Sequence, residues 1–336
     1  MAIAVGNGGE LDRTLGNARI QSPADCVNGI AVGSADRDGA GWKRAEHSSI
    51  GPGRSPGVVK PDVLCFGGCP KTPFYVVGPN GHAEPRLGTS FASPYALHAA
   101  IGVRAYLGPV LSPLAVKALL IHRSHRSDAS RDEIGWGKIP NDIAELITSA
   151  DGTAHIVSQG EMTPGSFQRA PIPVPEEQLK GKVEISATLC FASETDPQDT
   201  LHYTRSGLEL RFRPNDQKRK TANQRDANTR PFFNAKSLYV GEQELRSDAH
   251  KWETCLHAQC RYLGKSLRNP AFDIHYNARE AGGRTRSAQN IPYALIVTVR
   301  AARVKDLYDR IYRRYGTILE ILNPVIQIQI REQRRS

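Results

Sequence analysis

No run of about 18 apolar residues, the length a helix needs to span a bilayer, occurs in the 336-residue chain. Its first residues, MAIAVGNGG, lack a basic start, an adequate apolar stretch and a cleavage site, so the sequence as written predicts a cytoplasmic protein without a membrane partner. Cysteine is scarce: six residues (Cys26, Cys65, Cys69, Cys190, Cys255, Cys260) are too few for a disulfide scaffold, and their spacing matches no standard zinc pattern. Cys65 and Cys69 with Cys255 and Cys260 are the one conceivable four-thiolate set, but thiolate ligands usually come in tighter knuckles. Aromatic residues make up only 7%, and no basic strand interleaved with aromatics, zinc finger or helix-turn-helix signature is found. That speaks against a nucleic-acid partner, although the net charge is +10. The surplus lies beyond residue 150, where it reads as a solvated basic surface.

What is present is 39% hydrophobic content over a length that suits two globular domains. Ala2–Val5 and Gly29–Gly33 are short apolar runs of the kind a buried parallel sheet uses. Helices are expected over Ser90–Leu107, ended by Gly108-Pro109, and over Ser112–His125, with Ser112 as N-cap and Pro113 at the first helical position. Phe74–Val77, a turn around Asn80-Gly81 and the run toward Arg86 predict a hairpin or extended loop. Beyond residue 150 the period shortens, and Val183–Phe191, Leu208–Phe212, Ser237–Val240, Trp252–Arg261 and Tyr293–Val299 read as strands of a sandwich. Proline-rich Thr163–Glu177 is expected to link the two parts, and polar Arg213–Pro231 to be a mobile loop. A helix around Val304–Tyr315 and a strand near Val325–Ile330 complete the expectation, with parts at 1–150, a linker at 151–180 and a β-rich domain at 181–336.

The segment GTSFASP, Gly88 to Pro94, puts one serine where an extended loop meets a helix. Ser90 then sits at a helix N-terminus, where unspent N–H groups and the macrodipole stabilise charge developing on an attacked carbonyl. Gly88 permits close backbone approach, small Ala92 lets the helix pack near the site, and Pro94 is tolerable if it falls in the first turn. A serine before a helix is, on its own, equally read as an N-cap.

GTSFASP, however, resembles the serine motif of the subtilase family, with Gly88, Thr89, Ala92 and Pro94 around the nucleophile Ser90. AVGNGG resembles the strand end whose asparagine, here Asn7, donates to the oxyanion. IAVGSAD (Ile30–Asp36), SSIGP (Ser48–Pro52), KPDV (Lys60–Val63) and GWGKI (Gly135–Ile139) are similar to the family's connecting segments, in its order. The resemblance implies an α/β class: a partial subtilisin-like parallel sheet with helices, followed by a mostly-β, sandwich-like domain. It implies peptide-bond hydrolysis through a Ser90 acyl-enzyme on protein or peptide substrates. No cofactor is implied beyond the calcium that some subtilases bind, and an ATPase partner is a further possibility of the family.

In subtilases the triad runs Asp, His, Ser, with both partners ahead of the oxyanion asparagine. Six residues precede Asn7, so the expectation is a truncated chain, inactive alone, whose N-terminal half is missing or supplied by a partner. His82 lies in the loop before Ser90 and His98 about 12 Å along the helix, so neither is well placed as a base. Rival readings fit less well: the α/β-hydrolase elbow needs glycine where Ala92 stands, and the dinucleotide fingerprint needs glycine where Leu11 stands. The alternative from another class is a non-catalytic remnant that binds peptides or another partner.

Overall fold

The computed structural model describes residues 1–54, 57–198, 203–221, 224–234, 249–278, 289–320 and 322. Three short strands, β1 (Ala2–Ala4), β2 (Ile30–Ala35) and β3 (Val63–Phe66), pair in parallel in the order β1-β2-β3. A two-stranded hairpin, β4 (Phe74–Val77) with β5 (Ala83–Arg86), leads into α1 (Thr89–Leu107), which lies across the parallel sheet. Ala92, Ala96, Ala99 and Val103 recur at helical spacing on the buried side of α1, and such small side chains let the helix approach the sheet closely.

Helix α2 (Pro113–Arg123) starts as its sequence predicts: the Ala115 N–H donates to Ser112 Oγ at 3.1 Å and Pro113 opens the first turn. Two short helices, α3 (Arg131–Ile134) and α4 (Ile143–Ile147), flank the GWGKI turn.

The rest is a sandwich of two antiparallel sheets. One has the order β10-β8-β12-β6, formed by β6 (Thr153–Met162), β8 (Lys182–Phe191), β10 (Cys255–Leu263) and β12 (Ile291–Arg300). The other has the order β7-β11-β9, formed by β7 (Phe167–Pro171), β9 (Ser206–Arg213) and β11 (Ala271–Ala278). Helix α5 (Leu307–Tyr315) follows.

Three findings depart from the expectation. The proline-rich stretch Thr163–Glu177 holds β7, and all of β6 falls within 151–180, because alternation over Thr153–Met162 pairs this segment with β12 from Thr153↔Arg300 to Met162↔Ile291. Strand β11 carried too polar a pattern (Asp273, His275, Asn277) to be recognised, yet it is the centre of its sheet. The Arg213–Pro231 loop is tied down in part: Phe212 and Arg230 exchange backbone hydrogen bonds, and Arg213 reaches Asp273 and the Ala227 carbonyl. Ser237–Val240 and Val325–Ile330 lie outside the described residues.

The two parts share one core. The interior of the sandwich gathers Val183, Ile185, Leu189, Phe191, Phe212, Phe272 and Leu295. The opposite face of the same sheet, with Cys190, Cys255, Ala294 and Ile296, packs with Leu119, Leu120 and Trp136 into the cluster that also holds Val32, Val63 and Ala92. Strands β8 and β12 are therefore covered on both faces, which accounts for the apolar stretches Leu189–Phe191 and Tyr293–Val297. Specific bonds reinforce the joint: Asn28 Nδ2 donates to the Ser193 carbonyl, Thr254 Oγ1 to the Val27 carbonyl, and the Gly57 N–H to buried Glu253.

Candidate active site

The loop after β1 turns sharply through Gly6 at φ 98°, beyond which Asn7 stands exposed. Its conformation is fixed by the SSIGP run: the Gly8 N–H donates to Ser49 Oγ at 3.0 Å, the Ser49 N–H to the Gly6 carbonyl at 3.0 Å, and the Gly9 N–H to the His47 carbonyl at 2.8 Å. A Cβ at Gly9 would stand 2.1 Å from the Ser48 carbonyl oxygen, so only glycine permits this approach.

Facing this loop is the start of α1. Gly88 has φ 146°, caps the helix without a side chain, and donates its N–H to the Gly67 carbonyl at 2.9 Å. The cap is supplied from a distance. Asn7 Oδ1 accepts from the Thr89 N–H at 2.9 Å and from Thr89 Oγ1 at 3.0 Å, while Thr89 itself is buried. The backbone N–H can only donate, which fixes the amide: the oxygen faces Thr89 and the Nδ2 donors face away. Nδ2 lies near Gly88, where an added Cβ would be 3.4 Å from it.

Ser90 is the second residue of α1 and is exposed. Phe91, its neighbour, stacks on Phe74 at 5.5 Å, and Phe74 in turn contacts Phe66 and Tyr95. This aromatic file anchors the helix start to the hairpin. Fully buried Ala92 faces Gly67, whose added Cβ would meet it at 3.1 Å. Pro94 is the sixth helical residue, past the first turn in which the sequence reading put it, and it lacks the N–H that would bond the Ser90 carbonyl. The site thus collects a hydroxyl, the free donors of the Asn7 amide and the positive end of a 19-residue helix.

At the start of β2 and β3 lies a buried ionic group in the KPDV segment. Lys60 Nζ donates to Asp62 Oδ2 at 2.6 Å, Lys117 Nζ stands 3.7 Å from Asp62 Oδ1 and donates to the Gly29 carbonyl at 2.6 Å, and the Ala31 N–H donates to Asp62 Oδ2 at 2.7 Å. Burial pushes the Asp62 carboxyl upward, but Lys117 and Lys60 outweigh it and hold the group below its usual range. Asp62 thereby pins β2, the strand that carries the Asn7 loop's neighbour, to α2.

His82 sits in the hairpin turn and His98 stacks on Tyr95; both are exposed, and neither bonds Ser90. Among the described residues no imidazole or carboxylate lies within hydrogen-bond distance of Ser90 Oγ. The cysteines are free; Cys255 faces Cys190 across β10 and β8 with the sulfurs 3.6 Å apart, and among the described residues no group of three or more His, Cys, Asp or Glu gathers for a metal. The four-thiolate pairing is therefore not formed. Among the described residues no helix is long and apolar enough to cross a membrane.

Three solved structures have similarity to the chain: the self-cleaved protease domain of PatA (21% identity, 43% of this chain and 47% of that one, TM-score 0.31), the epidermin leader peptide processing serine protease EpiP of Staphylococcus aureus (19%, 44% and 40%, 0.35), and the subtilase cytotoxin SubAB (18%, 43% and 46%, 0.34). The chain spans less than half the length of each. No curated protein matches. Residues 1–137 match the model of the subtilase family, Peptidase S8.

Proposed function

We propose that the α/β part acts in serine-type endopeptidase chemistry. Ser90 Oγ attacks the carbonyl carbon of a peptide bond, the amine leaves, and the resulting acyl-enzyme is hydrolysed by water. The oxyanion formed at each addition step is bound by Asn7 Nδ2–H and the Ser90 N–H. The observation that carries this reading is the Thr89 pair on Asn7 Oδ1, which spends the oxygen and leaves the amide nitrogen free beside the nucleophile.

The reading takes no cofactor, but it does need a base for Ser90. Since no described residue supplies one, we place the histidine and its aspartate on polypeptide outside this chain, whether a preceding segment or a separate partner. The same observation favours a second reading, a non-catalytic module that binds extended peptides at this cleft.

A fluorophosphonate probe separates the two. The chain alone is expected to stay unlabelled, and the chain combined with a subtilase segment bearing aspartate and histidine to label at Ser90, with loss of label in Ser90→Ala. A reconstituted complex that stays unlabelled while the chain binds peptides equally well with and without Ser90 would decide for the non-catalytic module.

A further inference from the structure

Where α2 meets the sandwich, three imidazoles and two hydroxyls form one hydrogen-bonded file across the whole four-stranded sheet. Each strand contributes one member in spatial order: His257 on β10, Thr188 on β8, Thr298 on β12 and His155 on β6, with Thr188 opposite His257 and Thr298 opposite His155 in the pairing. His122 of α2 lies over the middle and links the two threonines.

Two opposite donor orders satisfy this file, and the Arg123 contact favours the one in which His155 donates to Thr298 over the one in which His155 donates to the Thr148 backbone. Arg123 Nη1 faces His155 Nε2 at 3.3 Å, and a guanidinium only donates, so that ring carries its proton on Nδ1. His155 Nδ1–H donates to Thr298 Oγ1 at 2.5 Å, and the Thr298 hydroxyl donates to His122 Nε2 at 2.6 Å. His122 Nδ1–H then donates to Thr188 Oγ1 at 2.8 Å, and the Thr188 hydroxyl donates to His257 Nδ1 at 2.6 Å. Every ring is neutral in this arrangement. A second proton on His122 would turn an accepting nitrogen into a donor against the Thr298 hydroxyl, which already receives a proton from His155 and would have to turn away.

The cations around the file oppose a positive ring, whereas the Thr148 backbone bonded to His155 favours one there. Arg123 of α2 lies against His155 and near His122, while Arg126, in the segment after α2, and Arg131 of α3, the latter over the Trp136 ring at 4.2 Å, lie near His257. Trp136 itself packs on His257 at 6.0 Å. The nearby acid, Glu145 of α4, has its carboxylate 3.1 Å from His125 Nε2 and gives its carbonyl to Arg123.

We propose that this file is an acid-sensitive latch between the subtilase part and the sandwich: protonation of its imidazoles breaks the hydrogen-bond order and releases α2 from the four-stranded sheet. Burial, reinforced by the neighbouring cations, holds His155 at about 4 and His257 at about 3, and keeps His122 well below the ordinary histidine value. Groups depressed in this way stabilise the closed joint above the ordinary value of about 6.5 and withdraw that stability as pH falls below it, because the opened form takes up the protons.

Hydrogen exchange on the full chain, corrected for the intrinsic pH dependence, reads the latch directly. Protection of α2 and β12 amides is expected to fall roughly tenfold or more from pH 7 to pH 5, as one depressed imidazole already implies, while α1 changes less than twofold. His122→Gln keeps one acceptor and one donor without titrating, and should flatten the profile. Parallel loss in α1 and α2, or a wild-type profile flat to pH 5, would overturn the latch. Should the variant not fold, imidazole proton resonances of the wild type give the same answer: the three rings must stay neutral until α2 opens, and titration near pH 6.5 with α2 still protected refutes the proposal.

Discussion

Asn7 Oδ1 accepts both the backbone N–H and the hydroxyl of Thr89, a residue 82 positions further along the chain. One side chain thus caps the helix that carries Ser90 and is oriented by it, so that stability and the proposed oxyanion contact share one amide. The two contributions can be separated by substitution.

Asn7→Ala removes cap and donor together and should cost about 1 kcal/mol in chemical denaturation, the usual effect of losing an N-cap. Asn7→Asp keeps the acceptor for Thr89 and should restore most of that stability. In an enzyme reconstituted as above, both variants should slow acylation by about 10²–10³, the order found for an oxyanion-hole asparagine in subtilisin itself. Equal acylation rates in Asn7→Asp and wild type would remove Asn7 from the oxyanion role.

Gly67→Ala tests how tightly the strand end and helix start are packed. The added Cβ would lie 2.4 Å from Ser34 Oγ and 2.7 Å from the Gly88 carbonyl oxygen, one of them backbone. Overpacking of this kind should destabilise by about 1–3 kcal/mol. The urea midpoint measures it, with an unchanged slope if only the native state is affected.

Lys117→Met leaves Asp62 buried with one cation instead of two. Removing a partner from a buried ionic group is expected to cost about 3 kcal/mol or more. Asp62 is held below its ordinary value, so its share of stability is present above that value and is lost as pH falls through the folded one. Without Lys117 the folded value of Asp62 moves back toward its ordinary one, so the stability lost on acidification between the two values should be smaller in the variant, whose profile starts lower and has a flatter acid limb.

Burial pushes the Cys65 thiol up to about 12 and the Cys255 thiol well above its ordinary value. Alkylation follows the thiolate, so native protein at pH 8 should leave both unmodified under iodoacetamide, with modification appearing only on unfolding. Mass spectrometry of the quenched reaction reads each site. Rapid native labelling of Cys255 would place β10 away from α2.

Much of the α/β part was legible because its information is local. Gly88 through Pro94 carries a turn, the proposed nucleophile and a helix start in seven consecutive residues, and Ser112-Pro113 announces its helix in two. The strands β8 and β12 were visible as apolar runs. Strand β11 was not, since it alternates charged and apolar residues around Asp273, which only the Arg169 and Arg213 side chains make tolerable in a buried position.

By itself, then, the sequence determined that Ser90 opens a helix, where the three longer helices run, and that a β-rich part follows, because each depends on residues within a turn or two of one another. Tertiary structure alone decided which way the Asn7 amide faces, that Asp62 gathers Lys60 and Lys117, that β6 and β7 belong to the sandwich, and that His122, His155 and His257 meet. Those outcomes depend on donors and acceptors brought together from distant positions, and a hydrogen bond spanning 176 residues, such as His122 to Thr298, leaves no mark in local spacing.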